Sequence, residues 1–171
     1  MSRPRSMLRR IPASYLVSGL VLLALFSTFS VLDENFLSPN NLANILRQSS
    51  VLIIIAMPMT LVIMTEGIDI SVGAVLSLST VIFAMVLLST GSLPIALLAS
   101  VGTGILFGSF GGILVSYLSM PPFIATLGIL GIAQSTALLV TDGISITGIP
   151  TSISAIYWQS WNGIPLPIAM A

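Results

Sequence analysis

From Ile11 to Leu32 the chain runs 22 residues without a charged side chain, and that run decides which solvent the protein folds in. A helix rises about 1.5 Å per residue, so about 20 apolar residues cross the hydrocarbon core of a bilayer. In that medium each backbone N–H and C=O must find its partner within the segment. Further apolar runs follow at 49–65, 72–88, 93–118 and 123–140, the first two of them short for a crossing. Charged residues are only 6% of the 171 and hydrophobic ones 56%, whereas a soluble domain carries about 25% charged residues. So few charges cannot dress a water-soluble surface. We read an all-α integral inner-membrane protein of about five transmembrane helices, with the start of a sixth at 164–171 and a short interfacial helix after the first. Because the residues stop at the first apolar turn of that sixth helix, 1–171 reads as the N-terminal part of a single polytopic domain.

Orientation comes from the arginines. Arg3, Arg5, Arg9 and Arg10 stand immediately before the first span, which keeps the N-terminus in the cytoplasm and sends Asp33 and Glu34 across. With no small-residue cleavage site before Asp33, the first helix is expected to be retained. Counting crossings then puts 66–71 and 119–122 on the cytoplasmic side, and 33–48, 89–92 and 141–163 outside. Arg47 is the only base after Arg10, so a stripe tracking nucleic-acid phosphates is excluded. The absence of Cys and His removes disulfides, thiolate chemistry and the usual zinc ligands, and no cofactor or metal is expected.

The breaks between runs carry the local signals. Ser38 has the chemistry of an N-cap and Pro39 sits at the favoured first helical position, with Leu42, Ile45 and Leu46 at helical spacing and Arg47 as an interfacial anchor. Pro58 removes a backbone donor and is expected to kink its helix. Gly67 is expected to close that helix, and Asp69 with Ser71 to cap the next. Two readings of this break stay open. In one, Glu66 and Asp69 are solvated in a cytoplasmic loop with Asp69 as the N-cap. In the other, 49–65 and 72–88 form a broken helix, so that Glu66, Gly67, Asp69, Ser71 and Gly73 line a translocation pathway. Gln134 on the fifth run either offers neutral hydrogen bonds to a polyhydroxylated solute or packs between helices. Ser100, Gly104, Gly108, Gly112 and Ser116 recur every four residues and predict a bare helical face for close packing. Residues 141–163 read as polar loop, their Tyr157, Trp158 and Trp161 suiting a membrane–water interface.

Three segments in order carry a resemblance. Asn35-Phe36-Leu37-Ser38-Pro39-Asn40-Asn41-Leu42-Ala43-Asn44-Ile45-Leu46, Thr60 to Gly73 with its Gly67-Ile68-Asp69-Ile70-Ser71-Val72-Gly73, and Pro122-Phe123-Ile124-Ala125-Thr126-Leu127-Gly128 resemble the permeases of monosaccharide ABC importers, ribose or xylose type, within the branched-chain amino acid/sugar permease superfamily. The resemblance covers the chain from Phe36 onward, roughly the N-terminal half of such a permease, and departs from it at Glu66, where Gly or Ser is usual. It implies a subunit that pairs with a second permease copy or a homologous permease, receives solute from a periplasmic sugar-binding protein and is driven by a cytoplasmic ABC ATPase. No G-x-x-x-x-G-K-[ST] loop is present, so the chain itself is not expected to be the enzyme. Two other classes remain: an ion-coupled secondary transporter or channel using Glu66, and a non-functional truncated remnant.

Overall fold

The computed structural model describes residues 13–158, 160–161 and 164–165. Arg3, Arg5, Arg9, Arg10, Ile11 and residues 166–171 of the expected sixth helix lie outside the described residues. Among the described residues, five helices are long and apolar enough to cross a membrane: α1 (Ala13–Leu32), α2 (Pro39–Met64), α3 (Val72–Thr90), α4 (Leu93–Ser116) and α5 (Pro122–Val140). At 19 to 26 residues each, they satisfy the backbone internally over a bilayer's hydrocarbon thickness. The protein is therefore an all-α, multi-pass membrane protein. It divides into two compact units, 1–49 and 50–171, with the boundary inside α2.

In the first unit, the turn after α1 is held by side chains that replace missing backbone partners. Asp33 Oδ1 accepts from the Asn35 N–H at 2.8 Å, and the Asn41 amide donates to the Phe36 carbonyl at 2.7 Å. Ser38 Oγ accepts from the Asn41 N–H at 3.3 Å, which is the N-cap read from sequence. Phe36 packs on Phe26 and Phe29 of α1, with ring centroids 5.0 and 5.9 Å apart. The segment expected as a separate interfacial helix is instead the first turns of α2, which runs unbroken from Pro39 through Ser49, Ser50 and Pro58 to Met64. No Gly or Pro lies between Pro39 and Pro58 to interrupt it, and Arg47 stays within the helix, Nη1 donating to Asn44 Oδ1 at 2.9 Å. Inside α2, Pro58 leaves one carbonyl a turn earlier without its helical donor.

In the second unit, α3 is the central helix and packs along both α4 and α5, which touch each other less. Its Leu78, 1% exposed, sits with Ala133 and Ala137 of α5, and Ala74, Val75, Val81, Ile82 and Phe107 close around them. The contact face of α5 is Ala125, Ile129, Ala133 and Ala137, one stripe at four-residue spacing. Where lipid tails are as apolar as Leu, short side chains on such a stripe let helices approach and gain dispersion contacts. Gly128 and Gly131 of the same helix are exposed.

The polar stretch after α5 is not all loop. It contains α6 (Thr151–Trp158) and a two-residue antiparallel pairing of β1 (Ser160–Trp161) with β2 (Ile164–Pro165). Ile164 and Pro165, expected at the entrance of a sixth helix, belong to this pairing. A residue preceding proline is pushed out of the α region, and Pro165 itself brings no N–H to a helix.

On α4 the tightest glycine contact is at Gly111, beside the expected face, of which Gly104 comes within 4.0 Å of Ser79 on α3. A Cβ at Gly111 would stand 2.8 Å from Ile129 Cδ1, while one at Gly108 or Gly112 meets nothing within 4 Å. We expect Gly111→Leu to lower the thermal midpoint of the detergent-solubilised protein by the equivalent of about 1–3 kcal/mol, the usual cost of overpacking, and Gly112→Ala to leave it unchanged.

Candidate functional site

The break between α2 and α3 is built from backbone hydrogen bonds that close one helix and open the next. Glu66 N–H donates to the Ile63 carbonyl at 3.0 Å and Gly67 N–H to the Val62 carbonyl at 3.0 Å, the paired 5→2 and 6→1 bonds of a Schellman motif. The left-handed residue of that motif is Glu66, φ 58°, not Gly67 as expected. Gly67 takes the next position because its backbone passes close to α2: a Cβ there would lie 3.1 Å from both Val62 Cγ1 and the Val62 carbonyl oxygen. The end of α5 repeats this arrangement, with Asp142 at φ 50° and Gly143 N–H donating to the Leu138 carbonyl at 2.9 Å.

Asp69 lies two residues before the N-cap of α3 rather than at it. Its Oδ1 accepts from the Ser71 N–H at 2.8 Å and from Ser71 Oγ at 2.6 Å. Ser71, 4% exposed, is the N-cap, and its carbonyl takes the first helical bond from the Val75 N–H at 2.9 Å. Asp69 thus orients the capping residue. A tertiary contact reaches the connection: Thr126 Oγ1, near the start of α5, shares its one proton between the Ile68 carbonyl at 3.2 Å and the Phe123 carbonyl of its own helix at 3.3 Å. That bond ties the Gly67–Gly73 segment to the Phe123–Gly128 segment, 58 residues apart in the chain.

Gly67, Ile68, Asp69, Ser71 and Thr126 line an open-sided cavity of about 840 Å³ between the end of α2, the start of α3, the C-terminal half of α4 and the start of α5. Gly104, Gly108, Gly112 and Ser116 belong to its α4 wall, together with Phe107 and Gly111 among others, over about 18 Å of the helix at about 1.5 Å per residue. At Gly108 and Gly112 this face opens on the cavity, at Gly104 it comes within 4.0 Å of Ser79 Oγ on α3, and Ser100 lies beyond the cavity's end. Among the described residues, Asp69 is the only carboxylate in the lining. The expected pathway residues divide accordingly. Gly67, Asp69 and Ser71 line this cavity, Gly73 lines a second one on another face of α3, and Glu66 and Gln134, both exposed, line neither. Sequence reasoning missed Thr126, although it lies within a recognised segment, because the acceptor it serves is a backbone carbonyl that has no sequence signal. Among the described residues no group of three or more Asp, Glu, His or Cys could hold a metal ion.

Stacked apolar helices joined by capped breaks define a polytopic membrane protein. Residues 41–160 match the family described as branched-chain amino acid transport system / permease component, and the chain belongs to that family. It is 38% identical over 137 residues to the autoinducer 2 import system permease protein LsrC of Escherichia coli O157:H7, covering 80% of this chain and 40% of that one. The LsrC proteins of Photorhabdus laumondii and Salmonella typhi are each 35% identical, over 159 and 145 residues. Those matches take in 92% and 85% of this chain, and 48% and 42% of theirs. The chain therefore spans less than half the length of these relatives. No solved structure matches it.

Two substitutions separate the roles of the neighbouring residues at the break. Glu66→Gly removes a left-handed non-glycine residue and an acid from a helix C-terminus, and should raise the thermal midpoint by up to about 1 kcal/mol equivalent. Gly67→Ala, crowded against Val62, should lower it. In amide exchange, Thr126→Val should speed exchange across residues 67–71 by the loss of one hydrogen bond, about 1 kcal/mol, with α4 unaffected.

Proposed function

We propose that the chain is the N-terminal part of a permease subunit of an ATP-binding-cassette importer in a bacterial inner membrane, carrying a monosaccharide or similar polyol. The supporting observation is that the two segments resembling monosaccharide permeases, Gly67–Gly73 and Phe123–Gly128, are joined by the Thr126–Ile68 bond on the wall of one cavity. The relatives' role in autoinducer 2 import makes that signal the first solute to assay. On this reading the chain pairs with a second permease copy or a homologous permease, takes solute from a periplasmic sugar-binding protein, and is driven by ATP hydrolysis on a separate cytoplasmic subunit. Its own part is to offer a pathway whose walls change tilt, for which a helix break held by a few hydrogen bonds is suited. The N-terminus is assigned to the cytoplasm on the strength of its four arginines, which puts the capped break at 65–71 on the ATPase side.

The ion-coupled alternative drew on Glu66. That residue is exposed, occupies the left-handed turn of a helix cap and lines neither cavity, a position that serves termination of α2 rather than a relay. Uptake of labelled autoinducer 2 or ribose should stop when the cognate ATPase is deleted and persist in Glu66→Gln. Uptake that survives ATPase deletion and collapses with an uncoupler at constant ATP would reverse the assignment.

A further inference from the structure

Hydroxyl groups inside the spans are mostly spent on their own helix. Thr60 of α2, Thr80 of α3, Thr103 of α4 and Thr136 of α5 each donate to the carbonyl four residues back, at 2.7 to 2.9 Å. At Thr126 the one proton faces two acceptors, the Phe123 carbonyl of its own helix at 3.3 Å and the Ile68 carbonyl of the α2–α3 connection at 3.2 Å. Neither distance is as short as those of the other threonines, which fits a hydroxyl with a single proton to divide. The side chain is buried, at 6% exposed, and any further protein around it buries it more. Among the described residues, the other hydrogen bonds of the connection run to its flanking helices or within it: Gly67 N–H to the Val62 carbonyl, Val75 N–H to the Ser71 carbonyl, and Ser71 to Asp69.

A hydrogen bond from a buried hydroxyl normally resists being broken, because the donor left without an acceptor is costly. Here the second acceptor is already in place. A helical threonine divides between two χ1 positions because its Oγ1 can reach a carbonyl of the preceding turn. Withdrawal from Ile68 therefore completes the bond to Phe123 and orphans no donor. The Ile68 carbonyl that gives up the proton belongs to the connection between two spans, where water can take its place. The buried face of α5 offers little steric hindrance to a small tilt, since Ala125, Ala133 and Ala137 flank its one large member, Ile129.

We propose that Thr126 is a latch between the start of α5 and the α2–α3 connection. With its proton on the Ile68 carbonyl, the connection is held to α5. With its proton on the Phe123 carbonyl, α5 is free to tilt, and the transport cycle moves the protein between the two arrangements. The latch rests on the transport reading above and deepens it by supplying the two-state element that a change of access requires. Thr126 is a positioning residue in this scheme: it sets where α5 stands relative to the connection, without touching the solute.

Of Asp33, Asp69 and Asp142, only Asp69 follows an isoleucine. A permease isotope-labelled at the isoleucine carbonyl and the aspartate nitrogen, reconstituted with unlabelled ATPase, therefore reports the Ile68 carbonyl by NMR. Ile68→Val, which deletes that signal, assigns it. Thr126→Val marks the unlatched position of the signal, and Thr126→Cys, a weak donor, serves if the valine protein fails to fold. Between the nucleotide-free state and the state held by a non-hydrolysable ATP analogue, the wild-type signal should move onto or away from that position, while the Thr126→Val signal stays in place. A wild-type signal at one position in both states overturns the latch, as does a Thr126→Val signal that moves as far as the wild type's. Uptake gives a second readout: Thr126→Val should lower the saturated rate several-fold with KM unchanged, and Thr126→Ser, which keeps the proton, should restore it. A raised KM at an unchanged saturated rate would make Thr126 a solute contact and overturn the latch. Repeating the NMR measurement with saturating autoinducer 2 or ribose in place of nucleotide separates the latch from the importer assignment. A fixed Ile68 carbonyl in a protein whose uptake stops on ATPase deletion condemns the latch alone. A carbonyl switched by solute in a protein whose uptake survives that deletion condemns the importer assignment alone.

Discussion

The absence of water as a hydrogen-bond partner governs this structure. Within the spans it leaves helix as the only way to satisfy the backbone, and at each break it demands a local solution. Three of the helix ends show how that demand is met. Met64 is followed by a Schellman pair with Glu66 in the left-handed position, Val140 by the same pair with Asp142, and Thr90 by Gly91 at φ 64°, whose N–H returns to the Leu87 carbonyl at 2.8 Å. Two of these left-handed residues are acids, which pay in backbone strain and in an adverse helix dipole for a sharp stop.

Once the ends are fixed, packing follows from side-chain size. Helices in a bilayer gain little from burying apolar area against one another, so close approach has to come from shape. The alanine stripe of α5 seats against α3 around Leu78, and Gly111 of α4 leaves room for Ile129. With α3 held on both sides in this way, the space not filled appears as two cavities on different faces of it. One is bounded by the capped helix break and carries Asp69; the other is uncharged and bordered by irregular backbone. The Thr126–Ile68 bond joins the break to α5, so a shift of α5 would be felt at 65–71.

Much of this was legible in the residues. The five helices, the cap at Ser38, the termination near Glu66 and Gly67, and the pairing of Asp69 with Ser71 follow from charge-free length, proline placement and short polar side chains, all of which act within a few residues. The places where reading failed are those where a neighbour decides. Glycines at four-residue spacing on α4 looked like a packing face, but a small residue signals closeness only where another helix arrives. α5 arrives at Gly111 and α3 at Gly104, leaving Gly108 and Gly112 open. Likewise 141–163 looked uniformly loop-like because a two-turn helix and a two-residue pairing lie below the length at which periodicity can be seen.

By itself, then, the sequence determined the solvent, the number and direction changes of the helices, and the chemistry of their caps, because hydrophobic length and local hydrogen bonding are properties of contiguous residues. Tertiary structure decided which faces meet, that Gly67 through Ser71 and the start of α5 share one cavity, and that Ile144, Ser145, Ile146 and Ile149 border a second one beside α3. Those outcomes depend on contacts between segments far apart in the chain, where the fit of one surface to another, and not the character of either alone, sets the energy.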